Sequence, residues 1–134
     1  MKRWANLSFK SMEMNSYQFK IRTHVTHIIH NAWQLNFKLR MEGFERVHIA
    51  GTRHLIDLAL SSPRVRSPRF VFLSSIATVT NYKGPGGAPE VSIVDEGLSS
   101  MGYGLSKLVG ERISENAAKI SGLNAAVVRI GQIS

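Results

Sequence analysis

The chain contains three short runs of apolar and β-branched residues, spaced so that a helix fits between each pair. The runs are HVTHIIH at 24–30, RFVFLSS at 69–75 and NAAVVRI at 124–130. Runs of this length and composition predict buried strands. Strands that alternate with helices pair in parallel through right-handed crossovers, so we expect an α/β fold.

Two helical patterns lie between the predicted strands. The first follows the loop QLNFKLRMEG, and the second begins near Met101, where Ser99 or Ser100 can cap it, and ends at Gly122. The expected apolar stripes are Phe44, Val47, Gly51, Leu55 and Leu58 in the first helix, and Leu105, Leu108, Val109, Ile113, Ala117 and Ile120 in the second. Gly51 is expected to let the first helix approach the sheet closely.

The remaining segments are expected to be mainly loops. SSPRVRSPR reads as an exposed loop, and the span Ile76–Ser100 holds NYKGPGGAPE, whose glycines and prolines oppose regular structure. Residues 1–23 give a mixed pattern, with a short helix through Leu7–Phe19 as the expectation.

Polar residues follow each predicted strand where it ends. These are His30-Asn31-Ala32, Ser74-Ser75 and Gly131-Gln132. Ligands of parallel sheets bind at the carboxyl ends of the strands. We therefore expect these residues to meet at one edge of the sheet, where the second helix also begins.

The stretch MGYGLSKLVGER places a phenol and an ammonium one helical turn apart. Tyr103 and Lys107 are at i and i+4, about 200° around the axis from the apolar stripe, so both are expected to point away from the packing face. A phenol with the usual pKa near ~10 is a slow acid at neutral pH unless a nearby cation stabilises its phenolate. The pair suits acid catalysis, although Tyr-x-x-x-Lys alone is a weak signal.

Composition excludes several classes of protein. The absence of cysteine excludes disulfides and cysteine-based chemistry and fits a cytoplasmic location, and no apolar run approaches the ~20 residues that span a bilayer. The net charge of +8 comes from scattered basic residues without a nucleic-acid-binding signature, so nucleic acid is not the expected partner. We expect no metal site, since on a strand His27 would point away from His24 and His30.

Taken together, five sequence segments resemble one family in their order along the chain. VTHIIHNAW, GTRHLIDLA, FVFLSSIATV, MGYGLSK-x-x-GER and VVRIGQI are similar to the extended short-chain dehydrogenase/reductase family. More narrowly, they resemble the terminal reductase domain of fungal adenylate-forming, NRPS-like reductases and thioester reductases. The resemblance covers nearly the whole chain beyond residue 23.

The resemblance implies roles for particular residues. Tyr103 would protonate the substrate oxygen, Ser75 would hydrogen-bond the same oxygen, and Lys107 would hold the nicotinamide ribose and stabilise the phenolate. The cofactor-binding set implied is His30, Asn31, Ala32, Ser74, Tyr103, Lys107, Gly131 and Gln132, with no metal.

The resemblance also implies an activity. In such enzymes NADPH delivers hydride to the carbonyl of an acyl thioester on a carrier domain, and the hemithioacetal collapses to an aldehyde and a free thiol. Two donors preorganised around the developing oxyanion would stabilise that transition state.

The chain departs from the family pattern in its phosphate-binding part. The family begins with a strand and a Gly-x-x-Gly-x-x-Gly turn, whereas Gly84, Gly86 and Gly87 are interrupted by prolines and have no strand before them. The basic residue that reads the 2′-phosphate is also missing, and relatives often have Asn at the position of His48.

These departures lead us to expect only part of the family's domain in this chain. Residues 24–134 are expected to be the central part of a Rossmann-like, doubly wound parallel sheet whose first strands are missing, with 1–23 uncertain. Residues 24–30 would then form an exposed edge unless residues 1–23 or another chain cover it, so we expect weak NADPH binding and self-association.

Two alternatives remain open from the sequence. One is an extended reductase or epimerase that acts on a small free carbonyl or a sugar nucleotide. The other is an inactive truncated Rossmann remnant or interaction module, which the missing glycine-rich turn favours.

Overall fold

The computed structural model describes residues 16–132, except for the side chain of Glu96. The strands are β1 (His27–His30), β2 (Arg69–Ser75) and β3 (Ala125–Ile130), and the α-helices are α1 (Ser16–His24), α2 (Ala50–Leu60) and α3 (Gly102–Ser121). Shorter helical turns are the 3₁₀ segments Met41–Phe44, Ile76–Val79 and Glu96–Leu98 and the π-helical segment Glu45–Ile49.

The three strands form one parallel sheet in the order β1-β2-β3. His30 of β1 is level with Phe72 of β2, and Ser75 of β2 is level with Ile130 of β3. The predicted α/β class is therefore confirmed, and the order matches part of a Rossmann-like sheet.

The hydrophobic core lies between the sheet and the two long helices. Phe70 and Phe72 of β2 are 0% exposed and pack against Ile56 and Ala59 of α2, with Leu123 closing the far side. Residues that alternate along a strand point to the same face, so Ser74 points toward the helices as well. Ser74 is correspondingly buried.

The first predicted strand is shorter than expected. β1 begins at His27, because His24 closes α1, where its Nδ1 lies 3.1 Å from the carbonyl oxygen of Lys20. The expected helix over Leu7–Phe19 falls largely outside the described residues, and α1 overlaps only its end. Among residues 16–132, β1 lies at one edge of the sheet and Ile29 is 66% exposed; self-association through this edge stays a prediction.

The apolar stripe predicted for the first helix is wrong in register. Phe44 is buried, but Val47 is 70% exposed, and the buried positions of α2 are Thr52, Ile56 and Ala59. The π-helical segment Glu45–Ile49 explains the error, because an i→i+5 turn adds a residue and rotates everything after it. Gly51 does not approach the sheet, since a Cβ there would meet no atom within 4 Å.

The ends of α3 agree only in part with those predicted from the sequence. The N-cap is Met101, in an extended conformation and without a side-chain cap, so the capping role expected of Ser99 or Ser100 is wrong. The predicted stop is confirmed, because Gly122 adopts φ 68° as the C-cap.

The contact between α3 and β2 leaves no room at Gly110. A Cβ there would lie 2.5 Å from Cζ of Phe72. Because Phe72 is fully buried, it has no open space into which it can move. Gly110 therefore sets how closely α3 approaches the sheet.

We expect Gly110→Ala to destabilise the chain by about 1–3 kcal/mol, since it overpacks the core at Phe72. The matched control is Gly51→Ala, also within a helix but in open space, which should stabilise by up to about 1 kcal/mol through helix propensity. Urea unfolding of both variants measures the difference. Equal effects of the two substitutions would contradict the packing described for α3.

Candidate functional site

The candidate site lies at the carboxyl edge of the sheet, where β2 ends and α3 begins. Gly104 in the first turn of α3 is packed so closely that a Cβ would overlap the carbonyl oxygen of Ala77 and the hydroxyl of Ser99. Ala77 follows Ser75 by two residues and donates its N–H to the Ser75 hydroxyl. This contact brings the end of β2 beside the helical turn that carries Tyr103.

Tyr103 is held by its ring and has a free hydroxyl. Phe37 and Phe44 contact the ring edge-to-face, with centroids at 5.3 Å and 6.2 Å. The phenol oxygen makes no hydrogen bond to any described residue. It is therefore free to donate a proton to a ligand.

Ser75 also keeps a donor available. Its Oγ accepts the N–H of Ala77 at 3.1 Å and caps the 3₁₀ segment that follows. A hydroxyl that accepts a hydrogen bond still has its own proton to donate. Ser75 can therefore present that proton to an oxygen at the sheet edge.

Lys107 is buried, which overturns the expectation that it points away from the packing face. Its side chain faces the sheet with 3% exposure, and Nζ donates to the carbonyl oxygen of Leu73 at 2.7 Å. The same Nζ lies 4.6 Å from the centroid of Trp33 and 5.1 Å from that of Phe72. An ammonium between two ring faces is attracted by their quadrupoles.

The spacing of apolar residues predicts the wrong orientation for α3, because the packing face of this helix is largely small and polar. The helix buries Gly104, Ser106, Lys107, Leu108, Gly110, Glu111 and Ser114. Ile120, placed in the apolar stripe, is instead 82% exposed. Small residues let the helix approach the sheet, and Lys107 and Glu111 find partners there.

Burial changes the protonation of two groups at this edge. Desolvation lowers the pKa of Lys107 from 10.5 to about 8, against the opposing charge of Glu111. At pH 7 the ammonium still outnumbers the amine roughly ten to one. Burial also lowers the pKa of His30, and the neighbouring Lys107 and His48 side chains lower it further.

The hydrogen bonds around His30 define its tautomer. Thr52 Oγ donates to the carbonyl oxygen of His48 at 2.8 Å, so it accepts from Nε2 of His30 at 3.0 Å. His30 is therefore a buried neutral imidazole with its proton on Nε2. This bond fixes the end of β1 to α2.

Glu111 forms a buried ionic network that the sequence did not reveal. Its carboxylate accepts from Ser74 Oγ at 2.5 Å and from Arg129 Nη2 at 2.8 Å, and the Glu111 and Arg129 side chains are 1% and 16% exposed. Arg129 also donates to the carbonyl oxygens of Pro89 and Val91. The available signal was that Glu111 follows Lys107 by four residues and so shares its face.

Trp33 and His48 were also not assigned a role from the sequence. Trp33 Nε1 donates to Ser106 Oγ at 3.2 Å, and its ring stacks on His48 with centroids 5.1 Å apart. His48 Nε2 accepts the backbone N–H of Gln34 at 3.3 Å. These two aromatic side chains join the loop after β1 to α3 and to the turn before α2.

The other residues of the predicted cofactor set fall into two groups. Asn31, Ala32, Gly131 and Gln132 are exposed at the ends of β1 and β3. His30 and Ser74 are buried, with their side chains bound to Thr52 and Glu111. The cofactor role of all six stays a prediction.

Residues 16–132 contain no group of three or more His, Cys, Asp or Glu side chains arranged to hold a metal ion. Among the same residues, no helix has the length and apolar character needed to cross a membrane.

Comparison with known proteins shows a family match over almost the whole chain. The NAD-binding family described as male sterility protein matches residues 6–134. Adenylate-forming reductase Nps11 of Serpula lacrymans is 49% identical over 118 residues, and Nps10 of Heterobasidion annosum is 45% identical over 115. The carboxylic acid reductase of Neurospora crassa is 39% identical over 116 residues.

Coverage of these alignments is unequal. Each covers 86% of this chain but only 10% or 11% of the relative. The chain therefore spans about a tenth of the length of these relatives.

We expect Glu111→Gln to destabilise the chain by about 3 kcal/mol, because it leaves the Arg129 guanidinium without its buried counter-charge. Asp57→Asn is the matched control, since it removes the exposed pair with Arg53 on α2 and should cost about 0.5 kcal/mol or less. Urea unfolding measures both. A similar small loss in each variant would show that the Glu111 network carries little stability.

The lowered pKa of Lys107 predicts how stability depends on pH. Between about pH 8 and 10.5 the unfolded chain binds more protons at this site than the folded chain, so folding becomes more favourable as pH rises. The gain should total about 3 kcal/mol relative to Lys107→Met. Unfolding free energies measured across this pH range test the prediction. The control is Lys83→Met, which changes an exposed lysine and should show the same pH dependence as the wild type. A constant difference between wild type and Lys107→Met would contradict the prediction.

Proposed function

The chain belongs to the NAD-binding family described as male sterility protein, and on that premise we propose that it reduces a carrier-bound thioester to an aldehyde with NADPH. Family membership confirms the resemblance drawn from the sequence. The relatives are named adenylate-forming reductases and a carboxylic acid reductase, which supports a reductase that binds a nicotinamide cofactor. NADPH as the cofactor and a thioester as the substrate are our proposal.

One observation carries the proposal: two hydroxyl groups with unused protons lie at the edge where β2 meets α3. Tyr103 would act as general acid toward the substrate oxygen, and Ser75 would donate a hydrogen bond to the same oxygen. Both donors are preorganised, Tyr103 by its aromatic contacts and Ser75 by its bond to Ala77.

Lys107 would supply the positive charge that this chemistry needs. Its ammonium is one helical turn from Tyr103 and protonated in most molecules at neutral pH. A cation in a site of low dielectric stabilises a neighbouring phenolate far more than one in water. We assign Lys107 this role, together with binding of the nicotinamide ribose.

The open part of the edge fits a nicotinamide cofactor. Asn31, Ala32, Gly131 and Gln132 are exposed there, and a Cβ at Gly131 would meet no atom within 4 Å, so no described side chain fills the space beside it. When bound, the cofactor supplies the hydride. The chain's own residues orient the carbonyl and move the proton, and loss of the thiol from the hemithioacetal then gives the aldehyde.

We expect Tyr103→Phe to lower aldehyde formation at least about 100-fold and Ser75→Ala about 10-fold or more, since each removes a donor to the developing oxyanion. The assay follows NADPH oxidation and aldehyde release from a synthetic pantetheine thioester, with NADH in parallel to test cofactor preference. Tyr82→Phe is the control, because Tyr82 lies in the loop after Val79. Full activity of Tyr103→Phe would refute the proposed mechanism.

A further inference from the structure

Trp33 lies on the loop after β1 and contacts three side chains of the site. One face of its indole covers Lys107 Nζ, 4.6 Å from the ring centroid. Its N–H donates to Ser106 Oγ on α3, and its ring stacks on His48 in the π-helical segment. A single side chain thus joins the loop, the helix of Tyr103 and the turn before α2.

We propose that Trp33 is a positioning residue for Lys107, with the indole face holding the ammonium at the sheet edge and the indole N–H fixing that face against α3. The inference rests on the proposed function in one respect, because it takes Lys107 as the cation that serves Tyr103. The contact itself is independent of any activity.

The environment of Lys107 shows why Trp33 matters more than the other contacts. The carbonyl oxygen of Leu73 takes one of the three ammonium protons, and the rings of Trp33 and Phe72 lie next to the charge. Phe72 is fully buried, so core packing alone fixes its place. Trp33 belongs to a loop and is only partly buried, so its place depends on its hydrogen bond to Ser106 and on ring contacts with His48, Phe72 and His30.

The charged groups around Lys107 do not replace the ring. Glu111 on α3 is the acidic neighbour, but its carboxylate is already paired with Arg129 of β3. His30 of β1 and His48 of the π-helical segment bring no negative charge. Besides the longer-range attraction of Glu111, the favourable contacts of the charged lysine are therefore those with the Leu73 carbonyl and the two ring faces.

Substitutions at Trp33 separate the ring face from simple burial. Trp33→Leu keeps an apolar cover but removes the face, so the pKa of Lys107 should fall by about one pH unit below its value near 8. Trp33→Ala opens the site to water, so the same pKa should rise toward its ordinary value. Trp33→Phe keeps a ring face but loses the N–H that fixes it to Ser106, so the pKa should lie between those of the wild type and Trp33→Leu.

The measurement is nitrogen-15 NMR of the lysine Nζ atoms across a pH titration, with Lys107 assigned by its absence in Lys107→Met. Phe37→Leu is the matched control, because Phe37 is on the same loop and contacts Tyr103 rather than Lys107. It should leave the Lys107 titration unchanged. The same pKa in wild type and Trp33→Leu would overturn the proposal, since a merely structural role predicts no shift.

A second readout needs no substitution at Trp33. The chain has two tryptophans, so Trp4→Phe leaves Trp33 as the one fluorophore of this kind. Its emission should titrate with a midpoint near pH 8 as Lys107 loses its proton, and this transition should vanish in Lys107→Met. A transition that persists in Lys107→Met would show that the indole does not sense the ammonium and would overturn the proposal.

Failure of the two ideas can be told apart. If the chain releases no aldehyde from the thioester but Trp33 still controls the Lys107 titration, the proposed function fails and the positioning contact stands. If aldehyde is formed but the pKa of Lys107 is the same in every Trp33 variant, the proposed function stands and the positioning role of Trp33 is refuted.

Discussion

The structure depends on one buried ion pair, between Glu111 of α3 and Arg129 of β3. Both groups lose water when the chain folds, and such a loss is tolerated only where the remaining hydrogen-bonding capacity is used. Ser74 supplies a further donor to the carboxylate, and two loop carbonyls take the guanidinium protons. Since these partners come from β2, β3 and the loop before α3, the pair fixes all three relative to the helix that carries Tyr103.

The packing face of α3 is mainly small and polar. A helix that packs on a sheet usually buries an apolar stripe. Here the helix buries a lysine, a glutamate and several small residues, and the charged ones must be neutralised locally. A buried lysine with a lowered pKa, such as Lys107, is common at functional sites. The glycines on this face shorten the distance to β2, so Lys107 can reach the carbonyl oxygen of Leu73.

Regular structure and family could be predicted from the sequence, whereas the orientation of the helices could not. The runs ending at Ser75 and Ile130 form strands within one residue of the predicted bounds, because apolar β-branched segments bounded by turns favour strands. The predicted register of α2 and the predicted orientation of α3 are wrong for the same reason, because both rest on the spacing of apolar residues alone. A π-helical turn shifted α2, and α3 packs through polar atoms whose partners are distant in sequence. The contacts of Glu111 and Trp33 could not be predicted from the sequence, because their partners Arg129 and Lys107 belong to other elements of the fold.

The way Arg129 holds the long loop has an evolutionary consequence. Its guanidinium donates to the backbone carbonyl oxygens of Pro89 and Val91. These hydrogen bonds do not depend on which side chains stand at the two positions. Upstream, the 3₁₀ segment ending at Val79 is fastened separately through Ala77, which packs against Gly104. Asn81 adds a further anchor through hydrogen bonds to the backbone of Gly97 and Leu98. The stretch between Asn81 and Pro89 can therefore lengthen, shorten or change composition among homologues without displacing this edge of the sheet.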